Sequence, residues 1–321
     1  LRKIFIFAFI IRNVEGNVCM TKRKKRNKKH KKICILAYAE YYTDARIKAY
    51  VNTLLSQGDE YEIDVICLYD KFSKNGKNLK FHFIGEKYQG NSVLLYLINY
   101  FLFFIKSFFK FFLLNLKKKY NVIHVNNQPD FIVFCALPAK ITGSKIILDM
   151  HDIMIAAIIS KFNKDKNSLI FKLTKLQTKI SIKIADVLIL ADHSQKEFLQ
   201  ENNINHKRTY VFLNLPDDKL FFKRTYLPKY NGYLSLVYHG TISYRLGTDF
   251  IVKAVKEASY FVDLKCTIIG NGEQKEELIN YCVKETLLNR IVFFKDFIPV
   301  EDLQREIEKY DVGIIGNRKT I

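Results

Sequence analysis

From Ile33 onward, short apolar runs alternate with segments whose apolar residues recur at helical spacing. That alternation is the signature of βαβ units on a parallel sheet. It predicts strands at Ile33–Ala37, Ile63–Leu68, Phe81–Ile84, Val122–Val125, Lys145–Met150, Val187–Leu190 and Tyr210–Leu213. Helices at Asp44–Ser56, Asp130–Ile141, Ser168–Ala185 and Ser194–Asn202 fill the gaps. A polar stretch at Pro216–Gly232 breaks the pattern. It resumes with strands Tyr233–Tyr238, Leu264–Ile269, Ile291–Phe294 and Val312–Ile315, and with helices Thr248–Ser259, Gln274–Glu285 and Val300–Lys309. The expected fold class is therefore α/β: two Rossmann-like parallel-sheet domains, 32–215 and 233–321, facing a cleft and joined by a linker at 216–232. The length of 321 residues suits two domains of about 150 residues each. In such sheets ligands bind outside the carboxyl ends of the strands.

Composition narrows the function classes. Hydrophobic residues at 49% and charged residues at 26% exclude a disordered chain. The net charge of +20 implies an anionic partner. The cysteines Cys19, Cys34, Cys67, Cys135, Cys266 and Cys282 show no C-x-x-C spacing. They read as buried thiols in a reducing compartment, and they give no metal site. No G-x-G-x-x-G follows the first strand, which reads Ala37-Tyr38-Ala39-Glu40, and no P-loop motif occurs. A dinucleotide site on the first domain and a P-loop NTPase are thereby set aside, and no cofactor is expected.

The chain starts at Leu1, and residues Leu1–Ile11 form an apolar run too short for a bilayer, which takes about 20 residues. Met20 reads as the working start, with a weak secretion signal as the alternative. Lys or Arg fills nine of the eleven positions Lys22 to Lys32. With no zinc-finger or RNP motif behind it, this tail suits an anionic lipid surface better than nucleic acid.

Ser92–Lys117 is dense in Phe and Leu. Its polar residues Ser92, Asn99, Lys106, Lys110 and Lys117 fall within a stripe about 40° wide, and the remaining surface is nearly all apolar. The helix is long enough to span a bilayer, but the strands on either side of it should share one sheet, so it must enter and leave on one face. An interfacial helix at 92–118 satisfies both conditions, with Phe104, Phe108 and Phe111 expected against lipid. A helix packed on the sheet is the competing reading.

Two places carry chemistry. Strand five ends in Asp149-Met150-His151-Asp152, and an imidazole at that end can bond a ligand hydroxyl or phosphate. The plain alternative is a helix-capping Asp beside an incidental His. In the second half, His239-Gly240-Thr241 leads through Arg245 and Gly247 into a helix, and Gly270-Asn271-Gly272-Glu273 forms a second glycine-flanked turn. Arg245 supplies a fork of donors suited to phosphate at a helix N-terminus.

In this order, the pieces resemble the retaining, nucleotide-sugar-dependent glycosyltransferases of the GT-B fold, family four, over Ile33 to Ile315. They are Thr43-Asp44 with Arg46, Ile123 to Asp130, Leu148 to Asp152, Asn214-Leu215-Pro216-Asp217, His239 to Gly247, Gly270 to Gly272 and Tyr310 to Gly313. The resemblance implies transfer of a sugar from a nucleotide-diphosphate donor with retention and without an obligatory metal. It implies His151 and Arg245 as catalytic residues. It implies Asn214, Gly240, Thr241, Arg245, Gly270, Gly272 and Glu273 around the donor, and Asp44, Arg46, Asn127 and Asp152 on the acceptor side. The sequence departs from the family where Pro-Glu often follows His-Asp-x-Met, here Ile155-Ala156, and where a lysine often follows the phosphate arginine, here Leu246. The family's glutamate-x7-glutamate donor motif belongs to the loop and helix expected after Val312–Ile315 and is not reached before Ile321, and the second domain offers fewer strands than the about 5–6 usual for a sheet. The chain is therefore expected to be a fragment, incomplete at the C-terminus of its second domain.

The expected function is transfer to a membrane-proximal glycan or lipid-linked acceptor in cell-surface polysaccharide synthesis. The expected place is the cytoplasm, peripherally on the inner face of the cell membrane. A nucleotide-sugar 2-epimerase of the same fold and a non-catalytic scaffold for membrane or polyanion are the alternatives.

Overall fold

The computed structural model describes residues 30–88, 93–155, 168–215 and 232–317. The start at Met20, the basic run before His30 and most of the 216–232 linker lie outside the described residues. The chain divides into two compact units, Leu1–Asn214 and Leu215–Ile321.

The first unit is built on strands β1 (Lys31–Glu40), β2 (Tyr61–Leu68), β3 (Leu79–Phe83), β4 (Val122–Asn126), β5 (Lys145–Met150), β6 (Val187–Leu190) and β7 (Thr209–Val211). They form one 7-stranded sheet in the order β3-β2-β1-β4-β5-β6-β7, with every neighbouring pair parallel. The strand order reverses between β1 and β4, the switch point where α/β sheets open a ligand crevice. Alternate residues of each strand serve opposite faces. Ile33 and Ile35 pack with Val51 and Leu54 of helix α1 (Ala45–Leu55) on one side. Cys34 and Leu36 pack on the other side, toward helix α2 (Val93–Lys118) and the helices that follow it.

Between β4 and β5 the expected single helix is instead a 3-10 helix, Asp130–Ala136, running into a short α3 (Leu137–Ile141). Pro138 gives the reason. It has no N–H to donate, and its ring crowds the carbonyl four residues back, so one unbroken α-helix cannot run through it. Helices α4 (Leu169–Ile184) and α5 (His193–Glu201) complete this layer. Asp192 caps α5 through a 2.8 Å bond from Gln195 N, and Ser168 caps α4 through a bond from Phe171 N.

Helix α2 joins β3 to β4 of the same sheet and so enters and leaves on one face. By length and composition it could cross a membrane. In the fold, Phe103, Ser107, Phe111 and Asn115 are buried against the first unit. Its C-terminus is pinned by Lys118, whose Nζ reaches Glu62 at 2.6 Å and Asp64 at 2.5 Å. The choice of lipid-facing residues is thereby corrected: Phe111 is fully buried, and Phe104 and Phe108 pack on the core. The side turned from the core carries Leu102, Phe109, Leu113 and Leu116 instead, all exposed.

The second unit has a 4-stranded parallel sheet in the order β10-β9-β8-β11. Its strands are β8 (Leu234–His239), β9 (Leu264–Ile269), β10 (Val292–Lys295) and β11 (Val312–Gly313). The last is shorter than the expected Val312–Ile315. Helices α6 (Thr248–Ala258), α7 (Lys275–Lys284) and α8 (Val300–Ile307) connect them. Val252, Val255, Cys266, Ile268 and Cys282 form the core. The five cysteines among the described residues are buried and free.

Candidate functional site

At the carboxyl end of the first sheet, one buried carboxylate organises the surroundings. Asp149, on β5, is fully buried. Arg46 reaches it from the first turn of α1 in a two-pronged ion pair, Nε to Oδ2 at 3.0 Å and Nη2 to Oδ1 at 2.8 Å. The third Arg46 nitrogen donates to the Phe212 carbonyl at 2.8 Å, and Tyr50 lies beside the guanidinium at 5.5 Å. His124 and His151 bring their Nε2 atoms to 3.6 and 3.7 Å from Asp149 Oδ2. Burial by itself would push the Asp149 carboxyl up, but the two histidines and Arg46 hold it well below the usual range. The buried His124 imidazole is pushed down by desolvation.

His151 stands at the solvent edge of this cluster. Burial lowers its imidazole pKa. The hydrogen bond and charge of Asp149, with Asp44 behind, outweigh that, and the net shift is upward. Its ring is also 3.3 Å from Asn126 Oδ1. Its backbone is held at both ends, with the N–H donating to Asn127 Oδ1 at 2.7 Å and the carbonyl accepting from Gln195 at 2.7 Å. Asn127 is nearly buried, and its amide donates to Asp130 and to the Asp152 carbonyl. Asn127 thus braces the loop that carries His151.

The four residues expected on the acceptor side therefore fall into two kinds. Asp152 is exposed, and Asp44 is half-buried, capping α1 through Ile47 N at 2.9 Å. All three side-chain nitrogens of Arg46, and the Asn127 amide, make hydrogen bonds inside the protein. Beside Asp44 a cavity of about 320 Å³ opens among Glu40, Tyr42, Thr43, Tyr69 and Phe72. Asn214 is exposed at the end of the first unit.

The second unit builds its rim from backbone. Gly240 N donates to the Ile269 carbonyl, Ile242 N to the Asn271 carbonyl at 3.0 Å, and Gln274 N back to the Ile242 carbonyl at 3.3 Å. These bonds lace the loop after β8 to the loop after β9. A Cβ on Gly270, where φ is +142°, would lie 1.9 Å from the Gly240 oxygen, and one on Gly272 2.1 Å from the Ile242 oxygen. The glycines are required because two loops touch. Thr248 joins the same knot through Gln274 Oε1 at 3.0 Å. Around it, Thr241, Glu273 and Arg245 are exposed. Arg245, in the 3-10 turn Tyr244–Leu246 just ahead of α6, makes no hydrogen bond or ion pair among the described residues.

Neither a protein-family model nor a curated protein matches this sequence. Solved structures do. Sucrose-phosphate synthase from Thermosynechococcus elongatus superposes with a TM-score of 0.68 at 13% identity, over 89% of this chain and 75% of that one. The fold is GT-B. WaaG, a glycosyltransferase involved in lipopolysaccharide biosynthesis, matches with a TM-score of 0.59 at 11% identity, over 88% of this chain and 74% of that one. Anabaena HepE, in complex with UDP and glucose, matches with a TM-score of 0.57 at 12% identity, over 88% and 73%.

Reading the sequence missed four contributors: Asp149, His124, Asn126 and Gln195. Three of them stand in quoted strand ends, and polar residues there were the available signal. Gln195 carried none. Among the described residues, no group of three or more His, Cys, Asp or Glu is gathered so as to hold a metal ion.

Proposed function

We propose that the protein is a glycosyltransferase that moves a sugar from a nucleotide-diphosphate donor, with retention, to a membrane-proximal glycan or lipid-linked acceptor in cell-surface polysaccharide synthesis. The observation that carries this reading is Arg245: an exposed guanidinium, with no hydrogen bond or ion pair among the described residues, ahead of a helix N-terminus and beside two interlocked glycine turns. Rupture of the bond between sugar and diphosphate leaves negative charge on a phosphate oxygen. A cation fixed at that point lowers the barrier. His151, braced by Asn127 and Gln195, would meet the transferred sugar, and Asp44 and Asp152 the acceptor. The UDP and glucose held by HepE agree in kind with such a donor. Helix α2 and the basic run Lys22–Lys32 would attach the first unit to an anionic membrane, with the enzyme on the cytoplasmic side.

Calorimetry with UDP and ADP tests the reading. Wild-type protein should bind a nucleoside diphosphate saturably, and Arg245→Ala should lose about 1.5–3 kcal/mol of that affinity, the range for a hydrogen bond to a charged group. No saturable binding by the folded wild type would favour the scaffold instead.

A further inference from the structure

Helix α2 is not alone in turning apolar side chains to solvent. On α4, Leu169, Leu173, Leu176 and Ile180 recur three or four residues apart and are 71%, 55%, 53% and 42% exposed. They lie on the side opposite Phe171, Thr178 and Ile182, which are buried. The two helices belong to one layer. Phe104 of α2 meets Phe131 of the 3-10 helix at 5.5 Å, and Thr178 of α4 donates to Asp130 of the same helix at 2.7 Å. The 3-10 helix thus lies between them.

The charges have a pattern as well. Lys106, Lys110 and Lys117 leave α2, and Lys172, Lys175, Lys179 and Lys183 leave α4, while neither helix contains an Asp or Glu. At about 100° per residue, the α2 lysines leave on the flank opposite Phe104, and the α4 lysines on the flank opposite Ile184. Lys140 of α3 bonds the Ile184 carbonyl, so that side of α4 faces the middle of the layer. Right-handed crossovers run α2 and α4 in the same direction on either side of the 3-10 helix. The lysine rows therefore line the outer sides of this pair of helices, with α5 beyond α4, and the apolar rows stand between them.

We infer that α2 and α4 together form a docking face for an anionic lipid bilayer, on which the first unit lies flat. The charge decides the occupant. A second copy of this face would set lysine rows against lysine rows, whereas lipid phosphates meet them and the apolar rows enter the headgroup boundary. Both helices run antiparallel to the strands they connect. A flat pose holds the strands parallel to the membrane, so the rim with Asp44 and His151 opens along the bilayer surface. The inference rests on the membrane reading of α2 and adds α4 and the orientation.

Sedimentation of the full chain with phosphatidylcholine vesicles, with and without phosphatidylglycerol, tests it. Replacing Leu173, Leu176 and Ile180 by serine should weaken partitioning about tenfold or more, since each removes apolar area from the boundary. The lysine variant Lys172→Gln/Lys175→Gln/Lys179→Gln should weaken it only on the anionic vesicles, by about fivefold per lysine. A serine variant that keeps the wild-type circular dichroism and sediments like wild type overturns the inference. So does a lysine variant that binds as wild type, or a lipid-free dimer that the serine substitutions dissociate. A parallel variant, Leu102→Ser/Phe109→Ser/Leu113→Ser, separates the failures. If it alone loses binding, the α2 reading survives and the role of α4 fails; if it too binds fully, the α2 reading fails with it.

Discussion

The two units present loop ends at the carboxyl edges of similar parallel sheets, but they stabilise those ends by different means. The first unit uses side-chain charge: Arg46, Asp149, His124 and His151 converge from α1, β5, β4 and the β5 loop. The second uses backbone, with Gly270 and Gly272 letting one loop touch another and Arg245 left exposed at the edge. Rigidity in the first case depends on charges paired out of water. In the second it depends on the absence of side chains. The two rims should therefore fail under different substitutions.

The largest effect is expected at Arg46. Arg46→Met fills much of the same volume but breaks the two-pronged buried ion pair and leaves Asp149 with only His124 and His151 beside it, a loss of about 3–5 kcal/mol of stability. Arg245→Ala should stay within about 0.5 kcal/mol of wild type, because the side chain is exposed. Urea unfolding of both variants measures the contrast. Equal losses would mean that the arginines have similar environments, contrary to the geometry.

A smaller loss is expected at Gly270. An alanine there meets the Gly240 carbonyl and must also adopt φ near +142°. Strain of this kind costs about 1–3 kcal/mol. The damage should fall on nucleoside diphosphate affinity as well as stability, because the loops that hold Arg245 in place would separate. Gly313, where an added Cβ meets nothing within 4 Å, serves as the control. A Gly270→Ala variant as stable as Gly313→Ala would remove the steric argument.

The same contrast explains what could be read in the sequence. The strands and most helices were legible because apolar periodicity is local, and so were the glycine turns, since G-x-G flags a special backbone within a few residues. The 3-10 helix at Asp130–Ala136 was not, because the effect of Pro138 reaches back over a turn that otherwise reads as helical. The charge cluster was only half legible. Asp149 and His151 are two residues apart in sequence, but Arg46 lies 103 residues from Asp149, and nothing local pairs them. For the same reason nothing local showed that all three Arg46 side-chain nitrogens bond within the protein. On α2 the apolar density was plain, yet which phenylalanines face the core depends on where the sheet lies.

The smallest effect is electrostatic and concerns His151 alone. Its pKa is raised above the ordinary 6.5 because Asp149, assisted by Asp44, outweighs burial and Arg46. A raised value means that the folded state binds the proton more tightly than the unfolded chain. The stabilisation is fully present below pH 6.5 and disappears as the pH rises through the raised folded value. Asp149 behaves in the opposite sense. Its depressed value contributes stability above the ordinary 3.8, lost as the pH falls through the folded value. Both contributions are thus complete between those two ordinary values. Comparing wild type with His151→Gln by thermal unfolding should show a gap that is widest at about pH 5 and narrows as the pH rises above the ordinary 6.5 and through the raised folded value. Proton NMR of the imidazole should place the wild-type midpoint above 6.5, and Asp149→Asn should lower it. A gap that widens with pH, or a midpoint below 6.5, would mean that burial outweighs Asp149, and that the charged cluster of the first rim does not extend to His151.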